Sequence, residues 1–237
     1  RVRRQEVAYL EQKAEFLSIA SHEIRTPLTG IRWAIEGLLK RENPPLHSKT
    51  RTVLALVHES CLGLIGRVNN LLDLTALEGK KVAFLRPEEI AIAPFLEDIA
   101  DSLALSAQQR NVAIVLDASV RSAGTLTGDR QMLHHAFFNL LSNAVKYTRE
   151  GTSVRVSYAQ ENGGHVFQVR DEGAGVRPED RERIFSGYHR TKEAIRSGAY
   201  GTGLGLYLVK KAAELHNGSI AVSGNPGEGA TFTLQIR

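Results

Sequence analysis

The first third of the chain has the apolar spacing of two long amphipathic helices. Apolar residues recur at alternating gaps of three and four from Val7 to Leu38, a heptad pattern that predicts one helix over about residues 1–41. The segment 41–45 contains two prolines and must break this helix, and similar spacing predicts a second helix over about 47–78. Two such helices joined by a short turn form an antiparallel hairpin whose apolar stripes exceed what one hairpin can cover. The pattern therefore predicts that the hairpin dimerises into a four-helix bundle.

From about residue 82 the pattern changes to short runs typical of strands, which alternate with helical stretches. The predicted strands are residues 112–116, 153–158, 165–170, 219–222 and 231–236, and the predicted helices are about 94–109, 130–147 and 204–216. Glycine-containing turns at 162–164 and 225–227 predict that several strands pair as hairpins. The predicted fold class is therefore α+β: a helical hairpin, residues 1–80, is followed by an α/β sandwich, residues 81–237, whose mixed sheet is covered on one face by helices.

Composition limits the function classes. The 237 residues include 30 basic and 26 acidic side chains that are interspersed, with a formal net charge of +4. Because no basic stripe interleaved with aromatic residues is present, we expect no nucleic-acid binding. The single cysteine, Cys61, occupies an apolar heptad position, which predicts a small buried side chain and excludes an intramolecular disulfide framework.

The distribution of apolar residues also indicates whether this segment crosses a membrane and whether its first helix continues upstream. The sequence has no run of about 18 apolar residues and no apolar signal-peptide core, so we expect that this segment does not cross a membrane. The chain begins inside a helical heptad with no cap, which predicts a helix that continues upstream.

Candidate chemistry in the first helix centres on the segment 21–27, Ser-His-Glu-Ile-Arg-Thr-Pro. His22 lies one residue past the apolar seam, and Thr26 shares its outward face four residues further on. Pro27 should bend the helix beside them. Together with Glu23 they form a polar triplet that suits chemistry, although a lone surface histidine is more often simply solvated. A zinc-hydrolase site is not predicted, because Thr26 stands where its second histidine would be.

A second candidate site begins on the helix predicted over 130–147, with Asp129 as its cap. Asn139 and Asn143 are four residues apart, and Lys146 and Tyr147 continue the same face. Amide oxygens can coordinate Mg²⁺, an ammonium group can meet phosphate, and an aromatic ring can cover a purine. The alternative is the ordinary polar face of an amphipathic helix.

Two glycine-rich segments follow in order. The first is Asp-Glu-Gly-Ala-Gly at 171–175. The carboxylate of Asp171 can accept a hydrogen bond from an exocyclic amine, and the glycines allow a ligand to approach the backbone. The alternative is an ordinary glycine-rich turn. The segment 201–206, Gly-Thr-Gly-Leu-Gly-Leu, opens a helix whose free amides attract phosphate, without Rossmann or P-loop spacing. Residues 176–200 between them predict a mobile lid with a hydrophobic foot at Ile184, Phe185 and Tyr188.

The order of these three segments resembles the N, G1 and G2 boxes of the Bergerat-type ATP-binding fold of histidine kinases, Hsp90-like chaperones, type II topoisomerases and mismatch-repair ATPases. With Phe-Leu-Ser-Ile-Ala-Ser-His-Glu-Ile-Arg-Thr-Pro-Leu at 16–28 ahead of them, the chain closely resembles the catalytic core of a two-component sensor histidine kinase. The resemblance extends from about residue 10 to 235.

The resemblance implies a role for each matching residue. His22 would be the phosphoacceptor, Glu23 the base that activates it, and Thr26 the residue that positions water during dephosphorylation of a partner. In the nucleotide site the implied binding residues are Asn143 for Mg²⁺, Asn139 and Lys146 near the phosphates, Tyr147 near the adenine, Asp171 on the adenine amino group, Gly173 and Gly175 in that wall, and Gly201, Thr202, Gly203, Leu204 and Gly205 at the phosphate edge of the lid.

The implied activity is ATP-dependent autophosphorylation of His22, then transfer to an aspartate of a response-regulator receiver domain, with regulator phosphatase as a possible second activity. Implied cofactors are ATP and Mg²⁺. The implied partners are a second copy of the chain and an upstream sensor domain. The implied location is the cytoplasm, as a segment of a receptor that could be membrane-bound. Two departures lie in the lid: Tyr188 ends a motif that often ends in phenylalanine, and Tyr200 stands where glycine is frequent. The alternatives are an ATPase that drives a conformational cycle and a nucleotide-binding dimeric scaffold with impaired kinase activity.

Overall fold

The computed structural model describes two compact units of the chain. The described residues are 24, 28–39, 47, 50, 53–54, 57, 61, 64, 85–187, 189–191 and 203–237. Those up to residue 64 belong to the first unit, and those from residue 85 onward belong to the second. His22, Glu23 and Thr26 lie outside the described residues, as do Gly201 and Thr202.

Every described residue of the first unit except His47 is helical. Residues 28–39 form a continuous helical stretch, and Cys61 lies in the second helical region. The Cys61 thiol donates to the carbonyl oxygen of Leu28 at 3.2 Å, so the two regions are adjacent there. Cys61 is buried with Ile35, which confirms the prediction for this cysteine. Large apolar side chains remain exposed in the unit: Ile24, Ile31, Trp33, Leu38, Val53, Val57 and Leu64. These exposed apolar side chains support the four-helix bundle, which stays a prediction.

The second unit contains seven strands and four α-helices among its described residues. In chain order they are β1 (Pro87–Ala91), α1 (Ile92–Gln109), β2 (Ala113–Leu116), α2 (Ala118–Arg121), β3 (Thr125–Asp129), α3 (Arg130–Tyr147), β4 (Ser153–Glu161), β5 (Gly164–Asp171), α4 (Gly205–Leu215), β6 (Ser219–Ser223) and β7 (Ala230–Ile236). Two 3₁₀ turns, Pro178–Asp180 and Arg183–Phe185, lie between β5 and α4.

These strands form a mixed five-stranded sheet and a separate antiparallel pair, β1–β3. The order in the larger sheet is β2-β4-β5-β7-β6, with β2 parallel to β4 and the remaining pairs antiparallel. Phe167 of β5 is buried against the ring of Phe137 on α3 at 4.8 Å, whereas Gln168 and Arg170 are exposed. Because side chains alternate across a strand, Phe167 lies on the face covered by α3, whereas Gln168 and Arg170 lie on the opposite face, which is open at these two positions. The predicted α+β fold class with a mixed sheet is confirmed.

Two strands and one short helix were not predicted. In β1 only Ile90 is buried, and the strand starts with proline and two glutamates, so it has little strand-like alternation. In β3 the final Gly-Asp resembles a turn before a helix. Both strands exist because they pair with each other across a long separation in the sequence, and α1 begins directly after β1, two residues before its predicted start. Helix α2 is a single turn of Ala118–Arg121 in a stretch where no element was predicted.

The start of α3 is locked to the end of α4. Asp129 caps α3 as predicted, since its Oδ1 accepts from the Met132 amide at 3.0 Å. His216, only 4% exposed, accepts the Asp129 amide on Nε2 at 3.0 Å and donates from Nδ1 to the carbonyl oxygen of Ala212 at 2.7 Å. These two partners require the neutral Nδ1–H tautomer. His216 therefore joins the two helices that carry the candidate nucleotide-binding segments.

Substituting His216→Leu is expected to lower the free energy of unfolding by about 1–3 kcal/mol, because the buried Asp129 amide loses its acceptor. Urea denaturation of the whole chain measures the change. His165→Leu is the matched control: its imidazole is half-buried and hydrogen-bonded to the Tyr158 hydroxyl, so the loss there should be smaller. Equal losses at the two sites would contradict the assignment.

Candidate functional site

The first meeting point in the second unit joins α3 to the start of α4. Asn139 donates from Nδ2 to the carbonyl oxygen of His135 at 2.8 Å, which fixes the direction of its amide. Its Oδ1 faces Gly205, where an added Cβ would lie only 2.6 Å away. The glycine therefore lets the first turn of α4 approach the amide closely. The structure thus brings Asn139 and Gly205, predicted from separate segments, to one place.

The second meeting point joins the end of α3 to the turn after β5. A Cβ on Gly173 would overlap the carbonyl oxygen of Tyr147, so only glycine fits against this helix end. Gly175 has φ +71°, and a Cβ there would overlap the carbonyl oxygen of Asn225 in the β6–β7 loop. Both glycines therefore permit close backbone packing, and the second packs against a loop that the sequence did not connect with the site.

Asp171 is the last residue of β5 and is only 4% exposed. Its Oδ1 accepts the amides of Gly173 at 2.8 Å and Ala230 at 3.3 Å. Burial raises the pKa of the Asp171 carboxyl, and these two amides oppose the shift. Within the described part of the chain, Oδ2 has no hydrogen-bond partner. One oxygen is therefore held by the backbone, and the other remains available to accept from a ligand.

Positive charge collects around the last turn of α3. The Lys146 ammonium lies 5.1 Å from the centroid of the Tyr147 ring. Burial, helped by the charges of Arg190 and Arg110, lowers the pKa of Lys146 to about 8. Burial raises the pKa of Tyr147, while the charge of Arg190 and its hydrogen bond to the Tyr147 side chain act in the opposite direction. An anion placed here would relieve repulsion among these cations.

Arg190 is the residue of this group that sequence reasoning missed. It lies in the predicted lid, where Arg177, Arg181 and Arg183 are equally available by composition. The distance in sequence between Arg190 and the three predicted nucleotide-binding segments does not distinguish it from these other arginines. Only its hydrogen bond to Tyr147 and its proximity to Lys146 mark it as part of the site.

The first part of the predicted lid is anchored to the second unit. Ile184 and Phe185 are buried, and the Phe185 ring meets Phe232 edge-on at 6.5 Å, which confirms the hydrophobic foot at these two residues. Arg181 donates to the carbonyl oxygen of Gly224 at 2.7 Å. The third predicted foot residue, Tyr188, lies outside the described residues, as does the segment 192–202.

The remaining predicted binding residues have distinct environments. Asn143 is half-buried on α3, one turn after Asn139. Gly203 has φ +73°, a left-handed conformation that favours glycine. The Leu204 side chain is buried, so any contact with a ligand would come from its backbone. The ligand contacts of all three stay predictions.

Two family models match this chain, one over the predicted helical hairpin and one over most of the predicted α/β domain. Residues 12–80 match the His Kinase A phospho-acceptor domain, and residues 128–237 match the histidine kinase-, DNA gyrase B- and HSP90-like ATPases. The chain belongs to the sensor histidine kinases of two-component systems. The resemblance drawn from the sequence motifs is thereby confirmed, and residues 128–237 correspond to the ATPase domain of that family.

Curated relatives agree with this membership. The chain is 32% identical over 225 residues to the circadian input-output histidine kinase CikA of Synechococcus elongatus, with 94% of the chain and 30% of the relative covered. It is 34% identical over 226 residues to the aerobic respiration control sensor protein ArcB of Escherichia coli, with 94% and 28% covered. The chain thus spans less than a third of either relative's length.

Among solved structures, full-length ShkA in complex with AMPPNP superimposes with a TM-score of 0.71 at 30% identity, over 94% of this chain and 45% of ShkA. In the part of the chain that the structure describes, no helix is long and apolar enough to cross a membrane.

Proposed function

We propose that this histidine kinase uses ATP to phosphorylate His22 and then passes the phosphoryl group to an aspartate of a response-regulator receiver domain. The observation that carries the proposal is the Asp171 carboxylate, whose one oxygen is held by two backbone amides beside a cationic helix end. This arrangement lies in the same chain as the phospho-acceptor match that contains His22. A dimer through the helical hairpin and a receiver-domain partner are part of the proposal.

The proposed nucleotide contacts lie at the two places where α3 packs against the start of α4 and against the turn after β5. The free Oδ2 of Asp171 accepts a hydrogen bond from the exocyclic amine of adenine, beside the wall made by Gly173 and Gly175. The Tyr147 ring lies near the base, and Lys146 and Asn139 face the phosphates. The phosphate edge of the lid consists of Gly201, Thr202, Gly203, Leu204 and Gly205. Arg190, through its contact with Tyr147, adds a further positive charge to this site.

The donor set also fits Mg²⁺ delivered with the nucleotide. No cluster of three or more histidine, cysteine or acidic residues that could hold a metal occurs among the described residues. Mg²⁺ commonly takes few protein ligands and completes its shell with phosphate oxygens and water. Asn143 would supply one amide oxygen, and the metal would neutralise charge on the transferring phosphoryl group.

The proposed chemistry at His22 uses its neutral imidazole, since the ordinary pKa of about 6.5 leaves much of it unprotonated near neutral pH. Glu23 accepts a hydrogen bond from one ring nitrogen and makes the other more nucleophilic. That nitrogen attacks the γ-phosphorus, the bond from the γ-phosphorus to the bridging oxygen breaks, and ADP leaves. The phosphorylated imidazole is a reactive donor to a carboxylate on the regulator. Thr26 would position a water molecule that hydrolyses the phosphorylated aspartate of the regulator, which would be a second, phosphatase activity.

The proposal is tested by incubating the chain with Mg²⁺ and γ-labelled ATP and by examining the protein-bound label. A label that is lost in acid and stable in alkali supports a phosphohistidine. Steady phosphate release without protein labelling would favour an ATPase that drives a conformational cycle. Measurable nucleotide binding with neither label nor release would favour the dimeric scaffold.

The affinity for ATP is expected to fall as the pH rises through about 8, because Lys146 then loses the charge that attracts phosphate. The terminal phosphate is already ionised in this range and cannot produce the fall. Lys146→Arg should remove this pH dependence, since the guanidinium stays charged. Titration of a fluorescent ATP analogue between about pH 7 and pH 9 gives both profiles. Identical profiles for the two proteins would rule out Lys146 as the titrating group.

A further inference from the structure

A buried threonine connects the end of α3 to the turn after β5. Thr148 directly follows α3 and is only 3% exposed. Its Oγ1 accepts the backbone amide of Glu172 at 3.1 Å. The same oxygen lies 2.9 Å from Oγ1 of Thr152, whose hydroxyl donates to the carbonyl oxygen of Arg149 at 2.6 Å. Two hydroxyl groups therefore bridge a backbone amide and a backbone carbonyl.

The direction of every hydrogen bond in this bridge is determined. Each hydroxyl has one proton, and that of Thr152 is used on the carbonyl oxygen of Arg149. The bond between the two threonines must therefore use the proton of Thr148. The relay runs from the Glu172 amide through Thr148 and Thr152 to Arg149, and such chains of hydrogen bonds strengthen one another.

The relay holds the middle of the turn that carries Asp171. Glu172 lies between Asp171 and Gly173, and the Gly173 amide holds Oδ1 of Asp171 at 2.8 Å. On the other side, Thr148 continues directly from Tyr147, whose carbonyl oxygen leaves no room for a Cβ on Gly173. Two contacts, one polar and one steric, thus set the position of the Asp171 carboxylate relative to the end of α3.

We propose that Thr148 is a positioning residue whose hydroxyl relay makes the site selective for adenine over guanine. The inference rests on the proposed nucleotide contact of Asp171. Adenine presents an amine donor where guanine presents a carbonyl acceptor, so a fixed carboxylate oxygen attracts the first and repels the second. A carboxylate whose turn is no longer held adapts to either base, and the discrimination falls.

The experiment compares ATP and GTP affinities of the full chain, by competition with a fluorescent ATP analogue. Thr148→Val keeps the shape but removes the hydroxyl, and Thr148→Ser keeps the hydroxyl. In Thr148→Val we expect ATP affinity to fall about 5- to 30-fold, with a smaller change for GTP, so that the ATP/GTP ratio drops. Thr148→Ser should restore the ratio to within about twofold of the original chain.

Thr125→Val is the matched control, because its hydroxyl donates to Glu89 at 2.8 Å on the separate two-stranded sheet. This variant should leave both affinities unchanged. A ratio that is unchanged in Thr148→Val, whether both affinities fall together or neither falls, overturns the inference. If Thr148→Val does not fold, Thr152→Val is measured instead, because this variant removes the acceptor of the Thr148 proton. The ATP/GTP affinity ratio should then fall, but less strongly. An unchanged ratio in Thr152→Val also overturns the inference.

The outcomes for the original chain separate this inference from the proposed function. If it binds neither nucleotide, the proposed function fails. If it binds ATP and GTP equally, ATP binding stands and the selectivity assigned to Thr148 is wrong.

Discussion

Replacement of His22 by glutamine is expected to abolish the acid-labile label while leaving ATP affinity within about twofold of the original chain. Glutamine is similar in size and can hydrogen-bond, but its amide nitrogen has no lone pair available to attack phosphorus. The candidate contacts Asn139, Lys146 and Asp171 lie in the second unit, far along the sequence from His22. Labelling with γ-labelled ATP and a separate binding titration measure the two effects independently.

The control for this experiment is His47→Gln, which makes the same substitution at an exposed histidine of the first unit. We expect this variant to be labelled to the full extent. A label that persists in His22→Gln would place the acceptor elsewhere. A loss of nucleotide binding together with the label would mean that the substitution disturbs the ATP-binding domain, and it would contradict the assigned role.

Local signals in the sequence predicted the parts of the site that lie on one element. The helix over 130–147 was predicted with its bounds and its Asp129 cap, because apolar periodicity and a capping side chain act within a few residues. The strand before Asp171 was predicted for the same reason, although the structure includes Asp171 itself as its last residue. Such interactions depend on neighbours in the chain, so the sequence alone displays them.

Contacts between distant segments were not predictable in the same way. Glycines at 173 and 175 indicated a close approach, but the atoms approached are the carbonyl oxygens of Tyr147 and Asn225. Arg190 and Thr148 were missed because their roles come from a hydrogen bond to Tyr147 and from one to the Glu172 amide. Neither follows a residue spacing, and each requires the fold to bring its partner within reach. The pair β1–β3 was missed on the same grounds.

Substituting Asp171→Asn is expected to weaken ATP binding at least about 100-fold, because a site built to hydrogen-bond one group strongly rejects a mismatch. If the new side chain offers its oxygen to the amides of Gly173 and Ala230, its NH₂ group meets the adenine amine, and a donor faces a donor. If it turns over, the NH₂ group meets the two backbone amides. Either orientation loses one of the two pairings.

The same substitution should not lower the thermal midpoint of unfolding, although it weakens ATP binding. This difference separates a binding role of Asp171 from a structural one. Burial raises the pKa of Asp171, so its ionised form is disfavoured in the folded protein, and the cost persists at every pH above that raised pKa. A neutral asparagine removes the cost, and the thermal midpoint should stay unchanged or rise while ATP binding is lost. Asp101→Asn, at an exposed position of α1, is the matched control and should change neither quantity. A thermal midpoint that falls together with affinity in Asp171→Asn would show that the carboxylate supports the turn and is not reserved for the base.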